Sequence, residues 1–217
     1  INGTPLRFTD DVDIGPNGVI YFSDASEKFG INNYREDLFE HRPHGKILSY
    51  DPTMDKLTTL LDSLYFANGV AVEPNGNFLL FNETATYEVS KLWLKGPKAG
   101  TREKIIINLP GFPDGISTGS NGIYWIAIAS TRNAVVDGLA GKPFWRKIIM
   151  RLPLFMQPAP VRHGFVLGID GKGNVIHNLQ DPDLESYSPI TSVEEENGVL
   201  YLGSLTYPGL ARIKRPQ

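Results

Sequence analysis

The amino-acid sequence predicts an all-β fold, a β-propeller built from four-stranded antiparallel blades. Three observations carry this: a hairpin pattern that recurs four times, further strands after each hairpin, and almost no sustained helical periodicity. The recurring units are DDVDIGPNGVIYFSDAS from Asp10, NGVAVEPNGNFLLFNET from Asn68, DGISTGSNGIYWIAIAS from Asp114 and ITSVEEENGVLYLGSL from Ile190. Each couples a short strand to a strand rich in β-branched and aromatic residues through an Asn-Gly pair, at 17/18, 75/76, 121/122 and 197/198. Such a pair suits a type I′ hairpin turn, which needs positive φ at both central residues.

The remaining elements follow in order. GKILSYDP and KLTTLLDSL extend the first unit, KLWLKG and REKIIINLPG the second, FVLGID and NVIHNLQD the third, and LARIKRP the fourth. One domain is expected over residues 1–217, complete or incomplete as a propeller, with blades near 9–64, 65–111, 112–185 and 186–217. The last blade lacks an outer strand, and INGTPLRF at the N-terminus reads as the tail of one. Residues 25–44 form a long connection expected to act as a lid or rim, with His41 and His44 solvated at its end. Residues 143–156 are expected to include a basic amphipathic helix opened by Pro143. Phe144, Ile148, Ile149 and Leu152 share one face, which would cap the propeller channel, with peripheral membrane contact as a secondary role.

Composition excludes some chemistry. With 41% hydrophobic residues and a net charge of −3 the chain has a globular profile and no basic excess that would suit nucleic acid. It has no cysteine, hence no disulfide, thiolate metal site or cysteine nucleophile. It opens on Ile1 rather than methionine, which points to a processed or trimmed sequence.

A repeated offset singles out candidate site residues. Seven positions before the Asn of each Asn-Gly pair stand Asp10, Asn68, Asp114 and Ile190. In a propeller the first strand of every blade lines the central channel, so these positions converge near one mouth. Three oxygen-bearing side chains around an axis suit a hard cation such as calcium. The alternative is that Asp10, Asn68 and Asp114 only cap backbone groups at strand starts. The pattern alone leaves both open.

FTDDVDIGPNGVIYFSDAS, FANGVAVEPNGNFLLFNET, WLKGPKAGTREKIIINLPGFPDGI and VEEENGVLYLGSL closely resemble the strictosidine-synthase-like proteins. Within them the chain is most similar to the branch of the adipocyte plasma membrane-associated proteins and bacterial relatives, grouped with paraoxonases, gluconolactonases and regucalcin. The resemblance implies a six-bladed propeller of which about four blades are present. It implies that Asn68 and Asp114 coordinate a single calcium ion in the channel, that Asp24 lies at a further metal-side position, and that Asp10 lies on the substrate side. A glutamate ligand from the family's first blade has no counterpart here. The glutamate that serves strictosidine synthases as acid and base is matched by Thr191, which argues against that condensation, and Glu194, Glu195 and Glu196 read as turn and solvent-face residues. What remains implied is calcium-dependent hydrolysis of a small ester or lactone, as in a lactonase or arylesterase, with Asp10 or Asp24 as general base. A non-catalytic ligand- or partner-binding propeller is the alternative. The resemblance further implies membrane anchoring or an extracytoplasmic location through a segment outside these residues.

Overall fold

The computed structural model describes residues 3, 5–183 and 185–217, and places fifteen strands in four antiparallel sheets. The first sheet runs in the order β1 (Thr9–Ile14), β2 (Ile20–Asp24), β3 (Gly45–Asp51), β4 (Lys56–Leu64). The second holds β5 (Ala67–Val72), β6 (Phe78–Glu83), β7 (Glu88–Trp93) and β8 (Arg102–Ile106). The third holds β9 (Gly111–Thr118), β10 (Ile123–Thr131), β11 (Gly164–Asp170) and β12 (Val175–Asp181), and the fourth β13 (Ser192–Glu196), β14 (Val199–Gly203) and β15 (Ala211–Lys214). Within each sheet consecutive strands pair, and the chain then passes to the next sheet, which is the blade topology of a β-propeller.

The four Asn-Gly pairs make two kinds of turn. Asn121-Gly122 and Asn197-Gly198 have positive φ at both residues, as a type I′ turn requires. At 17/18 and 75/76 only the glycine does. There Pro16 and Pro74 precede the pair, and proline presets the first position of a type I turn, so Gly18 N donates to Gly15 O and Gly76 N to Glu73 O.

Apolar residues pack between sheets. Tyr21, Ile47, Val70, Leu79 and Phe81 join the first sheet to the second. Leu80, Val89, Ile116, Ile126 and Phe165 join the second to the third, and Trp125, Val166, Val193 and Leu200 the third to the fourth. Each large side chain buried there contributes roughly 1.5–3 kcal/mol. The inner strands approach so closely that a Cβ on Gly69 would meet the backbone of Asp114, Gly115 and Ile116.

Residues 5–8 are not a strand; Phe8 packs edge-on against Phe66 at 5.4 Å between ring centres, while residues 1, 2 and 4 lie outside the described residues. The long connection contains α1 (Tyr34–Glu40). Between β10 and β11 lie α2 (Ala134–Gly138), capped by the Asn133 side chain accepting from Val135 N and Val136 N, and α3 (Pro143–Met150) with proline in its first turn. The face that α3 buries differs from expectation. Arg146 is its buried residue, Phe144 is 67% and Trp145 56% exposed, Ile148 is exposed, and Ile149 and Leu152 are half-buried. The guanidinium turns inward because Leu139 O, on the loop after α2, accepts from its Nε at 2.8 Å.

Candidate metal and substrate site

Asp10, Asn68 and Asp114 each sit in a β-bulge at the start of an inner strand. Thr9 pairs with Asp24 and Val12 with Phe22, so Asp10 and Asp11 together oppose Ser23. Ala67 pairs with Glu83 and Val70 with Phe81, so Asn68 and Gly69 oppose Asn82. Pro113 pairs with Ile128 and Ile116 with Ile126, so Asp114 and Gly115 oppose Ala127. A bulge inserts one residue and re-aims its side chain out of the pleat. All three side chains line one cavity of about 660 Å³ at a mouth of the channel, and Thr191 joins them from the segment before β13.

Asn68 is 4% exposed, and its amide lies close enough to the Asp114 carboxyl to favour the charged form, against the larger effect of burial. Asn82, fully buried, donates from Nδ2 to the Asp114 backbone oxygen at 2.5 Å, and Thr84 Oγ1 donates to Pro113 O at 2.7 Å. Burial, then the Asp10 carboxylate, push the Asp114 carboxyl well above its ordinary range. The protein mass around Asp10 and the neighbouring Asp11 push the Asp10 carboxyl up to about 7, although its side chain still reaches solvent. Phe66 enters this site with φ of 58°, uncommon for a bulky residue, as the chain turns into Asn68.

Asp24 is not brought to this cluster. Its Oδ1 accepts from Phe8 N at 2.8 Å and it is 1% exposed. Glu83 ends β6 in the equivalent register and accepts from Tyr65 N at 2.9 Å, so in two successive blades an acid at this place braces the backbone entering the inner strand. Such a brace positions the bulge without touching the cavity.

Several polar residues serve the blade junctions. Asp11 Oδ2 accepts from Val70 N at 2.9 Å and Asp13 Oδ2 from Val72 N at 2.7 Å, tying β1 to β5. Alternation of Asp with apolar residues in DDVDI held this signal, because inward carboxylates on an inner strand need donors. Glu195 leaves the solvent face, accepting from Trp125 Nε1 at 2.6 Å and facing Arg215 at 3.3 Å. Glu194 lies along a second channel cavity with Asp11 and Asp13, where burial and then those carboxylates raise its pKa. His41 and His44 are half-buried rather than solvated: His41 lines the large cavity, and His44 lies 3.6 Å from Glu40.

Among the described residues no group of three or more His, Cys, Asp or Glu could hold a metal ion. The cluster instead comprises two carboxylates and an amide. These side chains fit a hard cation in kind, and with each carboxylate binding through one or both oxygens they would supply three to five of the roughly six to eight that calcium takes.

Around this site the chain resembles known proteins. Residues 10–97 match the strictosidine synthase family model. Strictosidine synthase-like protein 10 of Arabidopsis thaliana is 35% identical over 215 residues, 96% of this chain and 57% of that protein. The adipocyte plasma membrane-associated protein of Rattus norvegicus is 34% identical over 221 residues, 98% of this chain and 58% of that protein. The chain thus spans about half the length of the curated relatives it matches. Among solved structures, a gluconolactonase from Xanthomonas campestris superposes with a TM-score of 0.61 at 15% identity, covering 93% of this chain and 56% of that one. A calcium-binding regucalcin from Agrobacterium tumefaciens gives 0.54 at 15% identity, covering 89% and 52%. The chain is thus similar over nearly all its length to strictosidine-synthase-like proteins, and it shares the β-propeller fold of the gluconolactonase and regucalcin structures.

Proposed function

We propose that this chain forms the working face of a calcium-dependent hydrolase of small esters or lactones, of the lactonase or arylesterase type. The observation that carries the reading is the convergence of Asp10, Asn68 and Asp114, from three separate bulges, on one cavity with aromatic and aliphatic walls. Burial raises the proton affinity of both carboxylates, and the charge of Asp10 raises that of Asp114 further, so a divalent cation would relieve the site. Asn68 and Asp114 would hold the ion, with Asp10 beside them. When bound, calcium would polarise the substrate carbonyl and stabilise negative charge on its oxygen. Asp10, solvent-reaching and with a carboxyl near 7, suits a general base at neutral pH. It would take a proton as a water oxygen bonds to the acyl carbon, and return it to the leaving oxygen as the acyl carbon–oxygen bond breaks. Asp24 is assigned a positioning role through Phe8 N.

The fold relationship to a gluconolactonase and a calcium-binding regucalcin supports this reading. Thr191, a cavity-lining hydroxyl with no acid–base range near neutrality, weighs against a condensing enzyme. That the three bulges supply only two carboxylates and one amide favours, as a second reading, a propeller that binds a ligand without turning it over. The test is calcium titration by calorimetry, followed by phenyl acetate, p-nitrophenyl butyrate and γ-lactone substrates in calcium and in chelator. Hydrolysis should need calcium and fall about 100-fold or more in Asp114→Ala, in line with losing a charge-stabilising group. Absent calcium binding, or undiminished turnover in Asp114→Ala, sinks the proposal. Binding of calcium with no turnover of any substrate selects the second reading. The exposed apolar side chains of residues 143–156 further support peripheral membrane contact.

A further inference from the structure

The cavity is lined by two carboxylates from inner strands, Asp10 and Asp114, and by three arginines from outside those strands, Arg35 on α1, Arg132 after β10 and Arg146 on α3. Two of the arginines are occupied. Arg132 Nε donates to Asp137 Oδ2 at 2.8 Å, and Arg35 Nη2 donates to Pro158 O at 3.0 Å. Arg146 differs. It is 6% exposed, its Nε donates to Leu139 O, and among the described residues neither terminal nitrogen has a hydrogen-bond partner and no carboxylate lies within 4.0 Å. Asp137, which acts on it electrostatically, is already held by Arg132 and by Tyr87 Oη at 3.0 Å. A largely buried guanidinium on a cavity wall with no anion beside it is costly, and its planar fork matches a carboxylate with two parallel hydrogen bonds. His41 lines the same cavity, and burial and then the charge of Arg146 hold it below its usual pKa, so it stays a neutral donor or acceptor there. The apolar walls of the cavity include Phe66, Phe112, Leu38 and Val136.

We infer that Arg146 forms an anion-binding end of the cavity, so that the ligand carries a carboxylate at one end of an apolar body. This rests on the proposed function only in calling that ligand an ester or lactone; the anion site itself does not need turnover. A bound carboxylate would turn away from Asp10 and Asp114, directing the opposite end of the ligand toward them.

The test measures calorimetric binding of 4-phenylbutyrate and its uncharged amide to the full chain, to Arg146→Gln and to Arg146→Lys, each checked for folding by circular dichroism. The carboxylate should bind wild type roughly ten-fold or more tighter than the amide. That preference should vanish in Arg146→Gln and survive in part in Arg146→Lys. Equal affinities in wild type overturn the inference whatever the variants do, as does a full preference in a folded Arg146→Gln. A kinetic arm compares p-nitrophenyl butyrate with mono-p-nitrophenyl glutarate. Carboxylate preference without hydrolysis of either ester leaves the anion site standing and removes the hydrolase reading. Hydrolysis of both with no carboxylate preference does the reverse.

Discussion

At Asp114 a carboxylate is set into a bulge between close-packed inner strands, with Asp10 as its strongest repulsive neighbour, and both hold their protons more tightly than free side chains do. The sign for stability follows from Asp10, raised from 3.8 to about 7. Because the folded state binds that proton more tightly, the group favours folding fully below about pH 4 and loses this contribution as pH rises through about 7. At neutral pH without cation these acids therefore work against the fold. Asp114→Asn should raise Tm in chelator by roughly 2–4 °C, which corresponds to about 1 kcal/mol in a chain of this size. Calcium at 100 times its Kd should add about 2.7 kcal/mol to wild type and little to the variant. Differential scanning fluorimetry in chelator and in calcium reads both. An undiminished calcium shift in Asp114→Asn would exclude Asp114 as a ligand.

Among elements, hairpins were legible and bulges were not. Alternation fixes which residues share a strand face, and a bulge resets that alternation by one residue without a compositional mark, so the residue pattern itself shows Asp10, Asn68 and Asp114 only through their common offset. The same limit explains Asp24, whose type suits a ligand but whose register, shared with Glu83, makes it a backbone brace. The face of α3 was misread because helical periodicity ranks Phe144 and Ile148 as inward, whereas a carbonyl acceptor and the cavity draw Arg146 inside. What this leaves outside is specific: Phe144, Trp145, Leu154, Phe155 and Met156 are all more than half exposed, beside exposed Lys147 and Arg151. No helix among the described residues is long and apolar enough to cross a membrane. An apolar surface with basic neighbours instead suits an anionic lipid interface, at about 1 kcal/mol per basic residue. The chain should cosediment with phosphatidylserine-containing vesicles more than with pure phosphatidylcholine, and Phe144→Ser with Phe155→Ser should lower binding about ten-fold, near 1.4 kcal/mol. Equal cosedimentation of wild type and this double variant would remove the segment from any membrane role.

Across the whole molecule, the apolar clusters span the junctions between sheets, so no sheet holds a complete core alone. Polar ties follow the same junctions: Asp11 and Asp13 to the backbone of β5, Thr118 Oγ1 to Val72 O at 2.9 Å, Asn82 to Asp114 O, and Gly115 N to Thr191 O at 3.0 Å. Val72 is therefore held from both sides, by blades one and three. Shared cores and shared ties make the blades unfold together, since opening one junction exposes apolar surface on both flanking sheets. Asp13→Ala tests this at a residue outside the proposed site, further along β1. It leaves Val72 N–H without its acceptor in a strand that is buried throughout, at a cost of about 1–3 kcal/mol. At about 2–4 °C per kcal/mol the Tm should fall by roughly 2–12 °C. Calorimetry should still record one transition, with calorimetric and van't Hoff enthalpies equal. A separate early transition for the first sheet would mean that β1 to β4 fold independently and that the inner-strand ties do not couple the blades.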